Sequence, residues 1–154
     1  MTRRLRASDM FQLGLVAEPR PSADGRYARG ERCGFTEADG YRAMKEWIRN
    51  GDLPSAIFAA NDPAAIGAMN AIAEAGLKIP EDIAIVGGGN IHYGDMLRVP
   101  LTTVAWSTAE MGQAAARLVI DLVEGKRGIK EQHVIVEPEL VVRASCGATQ
   151  AAFV

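Results

Sequence analysis

The residue types able to do chemistry in this 154-residue chain fall in a few short stretches. His92, Tyr93 and Asp95 lie close together in a segment that reads as a loop. Their one- and two-residue spacing gives no nucleophile, base and orienting group in sequence, so they are expected to be surface residues. No serine or cysteine sits in a nucleophile-elbow pattern, and no catalytic residue is assigned. Cys33 and Cys146 are far apart with no CxxC spacing, and His92 and His133 have no partner at metal-ligand spacing. A structural zinc site is therefore not expected, and no metal or cofactor is assigned. The two thiols are expected to be reduced, as in the cytoplasm.

Three other places carry polar or aromatic groups where an α/β sheet would use them. They are Asn61-Asp62, the run Gly87-Gly88-Gly89-Asn90, and Trp106. Each follows a short apolar run, and ligands of open α/β sheets sit at the carboxyl ends of strands. Asn61 offers an amide with donors and an acceptor, suited to a hydroxylated small molecule, or serves as a turn residue. For Asp62 the role of helix cap is expected over ligand contact, with Pro63 in the first helical position. The glycines permit positive φ and close approach to a ligand, or simply a tight turn. The run does not match GxGxxG, because His92 stands where a third glycine would be. Trp106 is either a stacking ring or a core side chain.

The elements that position these groups follow from patterning. Residues 3–13 suggest a short helix, residues 13–17 alternatively a strand, and residues 18–34 a long Pro/Gly/Arg-rich loop. Thr36 is a good N-cap, acids occupy the first turn, and Tyr41, Met44 and Ile48 recur at helical spacing up to Asn50-Gly51. Residues 55–60 and 83–86 read as buried parallel strands around a helix from Asp62 to Gly76. That helix has one face of Ile66, Met69, Ile72 and Ala73 and another of Ala64, Gly67, Ala68 and Ala71. The small face is expected to meet a partner subunit. A strand over residues 101–105, a helix from the Ser107 cap to Val123, and strands at 134–136 and 140–142 complete an α/β fold with a mainly parallel open sheet flanked by helices.

Composition limits the function further. The chain is 48% hydrophobic, with formal charge −2 and pI about 5.7. That balance offers no basic face for phosphates, so no direct DNA binding by this chain is expected. No run approaches the ~20 apolar residues of a membrane span, and no secretory leader is legible. A cytoplasmic protein without a membrane partner is expected.

The ordered set of motifs resembles the sensor domain of LacI/GalR-family transcriptional regulators. It comprises Pro54-Ser55-Ala56-Ile57-Phe58-Ala59-Ala60-Asn61-Asp62, Ala65-Ile66-Gly67-Ala68, and residues 76–87 beginning Gly76-Leu77-Lys78-Ile79-Pro80. Pro100-Leu101-Thr102-Thr103-Val104, Glu110-Met111-Gly112, and Leu140-Val141-Val142-Arg143-Ala144-Ser145 as a closing strand continue it. The resemblance implies a periplasmic-binding-protein-like (type I) fold. Residues 1–34 would be a poorly defined N-terminal segment, 35–146 the effector-sensing C-terminal lobe, and 147–154 a tail. It implies a small-molecule effector, sugar-like or nucleobase-like, held between two lobes to control operator binding. A homodimer is also implied.

Effector-binding positions implied by the resemblance are Phe35, an aromatic that stacks on effector in some members, and Asn61 with Asp62 beside it. Gly89 falls where many members carry an effector-binding aspartate, a departure from the usual sugar site for which Asn90 is the substitute. Trp106 stands at a cleft-lining crossover where a polar residue is common. The helix-turn-helix, hinge and most of the first lobe have no counterpart in the sequence. The helix from Ser107 to Val123 is therefore expected to carry an unpartnered stripe of Met111, Leu118 and Leu122, as in a fragmentary gene product. The alternative reading is part of a periplasmic-type sugar-binding protein. A more distant one is an α/β enzyme using the glycine loop for phosphate.

Overall fold

The computed structural model describes residues 15–18, 29–31, 34–51, 53–125 and 134–148. The expected helix over residues 3–13 and Cys33 lie outside them. Six strands form one mixed sheet: β1 (Leu15–Glu18), β2 (Arg29–Glu31), β3 (Ala56–Ala59), β4 (Ala84–Gly88), β5 (Thr102–Ala105) and β6 (Glu139–Val141). Their order is β2-β1-β3-β4-β5-β6. The central β3, β4 and β5 are parallel, with Ile57 opposite Ile85 and Val86 opposite Thr102. The strands outside them pair antiparallel. The parallel centre is where crossovers allow it: the helix α2 (Asp62–Glu74) links β3 to β4, and the turns of residues 89–101 link β4 to β5.

Two strand expectations are corrected. The stretch read as a loop from residue 18 to 34 contains β2, whose Arg-Gly-Glu has no apolar alternation and exists by pairing with β1, Leu15 opposite Glu31. The expected strand at residues 134–136 does not form. β6 begins directly after Pro138, with Glu139 opposite Ala105, the last residue of β5. Residues upstream of Pro138 run past the end of β5 with no ladder to join, and Ile135 is exposed.

The helix α1 (Glu37–Asn50) starts as its sequence dictates. Thr36 accepts from the Asp39 amide while Asp39 accepts from the Thr36 amide, a reciprocal capping box. Gly51, at φ 69°, ends it in the left-handed conformation. Met44 and Trp47 of α1 join Ile57, Ile85, Met69, Ile72, Ile83 and Leu101 in the core between these helices and the sheet.

The small face of α2 has a different partner from the one expected. Ala64, Ala68 and Ala71 are fully buried within this chain, against α1. A Cβ on Gly67 would lie 1.9 Å from the Glu37 carbonyl oxygen, and one on Gly40 would lie 2.0 Å from that of Ala64. Backbone meets backbone there, so the small residues serve an intramolecular helix pair and not a second subunit.

By contrast α3 (Thr108–Val123), capped by Ser107, buries no residue. Met111, Val119, Ile120, Leu122 and Val123 are all exposed, and Leu118 is half-buried. The expected apolar stripe is present and lies outside the core.

Candidate functional site

The carboxyl ends of β3, β4 and β5 each release a short polar or aromatic segment, and these converge. At the end of β3, Asn61 takes an extended conformation and its Oδ1 accepts from the Ala64 amide at 2.9 Å. Asn61, not Asp62, is thus the N-cap of α2. Both are good caps by type, and Pro63 is tolerated one position further into the first turn. The other end of the Asn61 amide donates from Nδ2 to the Phe35 carbonyl at 2.7 Å. That bond ties the segment entering α1 to the end of β3. The Phe35 ring itself is 52% exposed.

Freed from capping, Asp62 points under the neighbouring loop. It is buried, at 1% exposure. Its Oδ1 accepts from the Thr103 hydroxyl at 2.7 Å and its Oδ2 from the Ile91 amide at 2.6 Å. Thr103 Oγ1 in turn accepts from the Asn90 amide at 3.3 Å. One carboxylate therefore binds the start of α2, the bend after β4 and the middle of β5 into one unit. Buried polar groups persist only when partnered in this way.

The glycine run does more than turn. Gly89 sits at φ 120°, a region essentially restricted to glycine, and its amide donates to the Val104 carbonyl at 2.8 Å. A Cβ on Gly88 would lie 2.7 Å from Trp106 Cη2 and 3.1 Å from the Ala60 carbonyl oxygen. One on Gly89 would lie 3.8 Å from Trp106 Cζ2. The six-membered ring of the half-buried indole rests in the trough that the missing side chains leave.

Arg143 was not singled out from sequence as a site residue. The expected closing strand stops at Val141, and residues Ala144–Cys146 form a 3-10 turn. Arg143 donates from Nη2 to Asn90 Oδ1 at 2.8 Å and from Nη1 to the Leu101 carbonyl at 2.7 Å. Ser145, fully buried, accepts from the Thr102 amide and donates to the Ile85 carbonyl. The turn is thereby pinned to the sheet without a ladder. The only sequence signal for this is Arg143 and Ser145 following an apolar strand.

The structure brings Phe35, Asn61, Asp62, Gly89, Asn90 and Trp106 to one rim, and adds Thr103 and Arg143. His92, Tyr93 and Asp95 lie in the turns after the glycine run. There His92 and Tyr93 meet edge to face at 4.9 Å, and His92 and Asp95 are exposed. Cys146 is a free, half-buried thiol that accepts from Thr102 Oγ1 at 3.2 Å. Among the described residues no three His, Cys, Asp or Glu side chains gather as metal ligands, and no helix is long and apolar enough to cross a membrane.

The periplasmic binding protein-like domain family matches residues 6–146. The HTH-type transcriptional repressor MelR of Bacillus subtilis is 44% identical over 115 residues, 75% of this chain and 33% of that protein. The HTH-type transcriptional repressor PurR of Pasteurella multocida is 40% identical over 113 residues, 72% and 33%. This chain thus spans about a third of the length of the curated relatives it matches. In structure it is similar to the Lac repressor dimer bound to operator and the anti-inducer ONPF, with TM-score 0.69 and 28% identity over 75% of this chain and 34% of that one. A LacI-family regulator from Enterococcus faecium with bound ribose matches with TM-score 0.66 and 29% identity over 73% and 41%. The chain belongs to the periplasmic binding protein-like family, in the form carried by LacI-type transcriptional regulators.

Proposed function

We propose that residues 35–146 are the effector-sensing lobe of a LacI-type regulator. A small molecule would bind at the rim formed by Phe35, Asn61, Gly89, Asn90 and Trp106, with Asp62 holding the rim's shape from below. Binding would change operator affinity through a DNA-binding region that these residues do not supply. The observation that carries the reading is the Asp62 linkage. A buried carboxylate ties the start of α2, the bend after β4 and β5 together beside Asn61, Asn90 and Trp106, and such preorganisation lowers the cost of binding. Charge balance fits the same role, since the chain carries a formal charge of −2 and a pI of about 5.7. The exposed apolar stripe on α3 fits a domain that works against other protein surface, and a homodimer is part of the proposal. The reading makes the chain a binding module and not a catalyst.

The test is a thermal-shift and calorimetric screen of the purified chain against monosaccharides, disaccharides and nucleobases. A ligand that binds only the folded state stabilises it by about 2.7 kcal/mol at a hundred times its Kd, which is easily resolved. Asn61→Ala should abolish the shift for whichever compound binds. No shift from any compound, or a shift indifferent to Asn61→Ala, would defeat the proposal.

A further inference from the structure

We propose that α3 is the contact surface of the homodimer, lying antiparallel across the α3 of a second copy of this chain, with Gly112 receiving a large side chain of that copy. The inference rests on the homodimer proposed above and uses no residue of the rim. The first observation is where the charges of α3 lie. At about 100° of rotation per residue, Glu110, Arg117 and Asp121 fall within one sector of the helix, with Glu124 just past its end. Ala114 and Leu118, both half-buried, lie beside that sector and mark the side turned toward the rest of the chain. The remaining arc, about half the circumference, runs from Met111 through Val119 to Ile120. It is exposed and carries no charged side chain. A helix that is apolar on more than one side is covered on more than one side. A chain of formal charge −2 meets a copy of itself without repulsion where both surfaces are uncharged.

The second observation is Gly112, near the middle of that arc. Glycine inside a helix is destabilising relative to alanine. At Gly40 and Gly67 a close approach explains it, because a Cβ would meet backbone of the facing helix at 2.0 and 1.9 Å. Gly112 has no positive φ that would require glycine, and a Cβ there would meet no described atom within 4 Å. The space it leaves is therefore open to a surface from outside the fold.

The third observation says which surface. Small residues fill the first half of the arc, Gly112, Ala115 and Ala116, and large ones the second, Val119, Ile120 and Val123. A two-fold interface needs one patch complementary to itself. Laid antiparallel, the large half of each α3 covers the small half of the other, whereas a parallel pair would set large on large. Rows of residues four apart, Met111-Ala115-Val119 and Gly112-Ala116-Ile120, supply ridges that interdigitate at a crossing of about −50°.

Light scattering and sedimentation of the full chain over a wide concentration range test this. The chain should associate reversibly into dimers. Gly112→Leu should weaken dimerisation at least tenfold while leaving the thermal midpoint of the monomer equal or higher, since the new side chain meets nothing in its own chain. Val119→Glu, at an exposed position, should give a folded monomer with unchanged circular dichroism. Adding Val119→Ala to Gly112→Leu should restore part of the association, because only the antiparallel pair sets these positions against each other, and no recovery would overturn that arrangement. Dimerisation indifferent to both Gly112→Leu and Val119→Glu would overturn the assignment to α3 and leave the homodimer standing. A monomer at every concentration, with α3 left to a different protein surface, would overturn the inference and the homodimer together. None of these results bears on ligand binding at the rim, which the effector screen judges separately.

Discussion

Replacing Asp62 with alanine separates two roles that this residue type can play at a helix start. An Asp that merely caps a helix is worth about 1 kcal/mol. Here the carboxylate instead accepts from the Thr103 hydroxyl and the Ile91 amide, both through charge-assisted bonds. Stranding a buried donor costs about 1–3 kcal/mol. Thr103 is fully buried and Ile91 half-buried, so water can relieve only the second. The expected loss for Asp62→Ala is about 3 kcal/mol. With a urea m-value of about 1.5 kcal/mol/M for a domain of this size, the midpoint should fall by about 2 M with the slope unchanged. Asp62→Asn retains the shape: its carbonyl can accept from Ile91 and its amide can donate to Thr103 Oγ1. Charge assistance and the acceptor for the Thr103 hydroxyl hydrogen are lost, but both groups stay partnered, so the loss is about 1–2 kcal/mol. A fall below about 0.7 M for Asp62→Ala, or equal losses for the two variants, would refute the linkage and return Asp62 to the role of a simple cap.

Two further outcomes follow from the helix pair. Gly67→Ala should lower the thermal midpoint, because a Cβ there meets the Glu37 carbonyl at 1.9 Å. Overpacking costs about 1–3 kcal/mol against a helix-propensity gain of about 1 kcal/mol, and a higher midpoint would disprove the close approach. The polar margin of the pair predicts weakening at both ends of the pH scale. The Tyr41 hydroxyl, then Lys45, holds the Glu74 carboxyl below its ordinary range, and the Thr36 capping bonds do the same for Asp39. The support these acids give is present above their unfolded values, near pH 4, and is lost as pH falls through the lower folded values. Glu74 raises the Lys45 ammonium, so its support is present below about pH 10.4 and is lost as pH rises through the higher folded value. Circular dichroism melts across pH should show both declines, and Glu74→Gln should flatten them. A pH-independent difference between the two proteins would count against the pair.

How much of this was legible follows from the distance over which each signal acts. The β3–α2–β4 unit and the α1 caps are written locally, in apolar runs bounded by Pro and Gly and in a Thr–Asp capping pair. The partner of the small face of α2 is not local. A stripe of Ala and Gly says only that something comes close, and a second subunit satisfies it as well as a neighbouring helix does. The deciding signal was Gly40. A glycine inside an otherwise strongly periodic helix costs about 1 kcal/mol relative to alanine and is best repaid by close approach, here to Ala64 on α2. Likewise β2 has no side-chain pattern to read, because its existence rests on backbone pairing with β1.

The site divides along the same line. That Asn61, the glycine run and Trp106 share a rim follows from strand order alone, since parallel strands deliver their following residues to one edge. What binds those residues together was hidden, because the partners of Asp62 lie on the loop after β4 and within β5. Asn and Asp in succession also offered two equally good caps, and a cap is the cheaper assumption until its rival is seen to bond. The glycine run was open to two meanings, ligand approach or tight turn. The structure supplies a third, room for an indole arriving from the next strand. A cluster of glycines followed by a tryptophan one strand later is thus a single feature split across the sequence. Its physical content is that a side chain removed at one position makes space for a larger one at another. Adding a side chain at Gly88 therefore disturbs the indole as well as the turn, because a Cβ there would stand 2.7 Å from Trp106 Cη2.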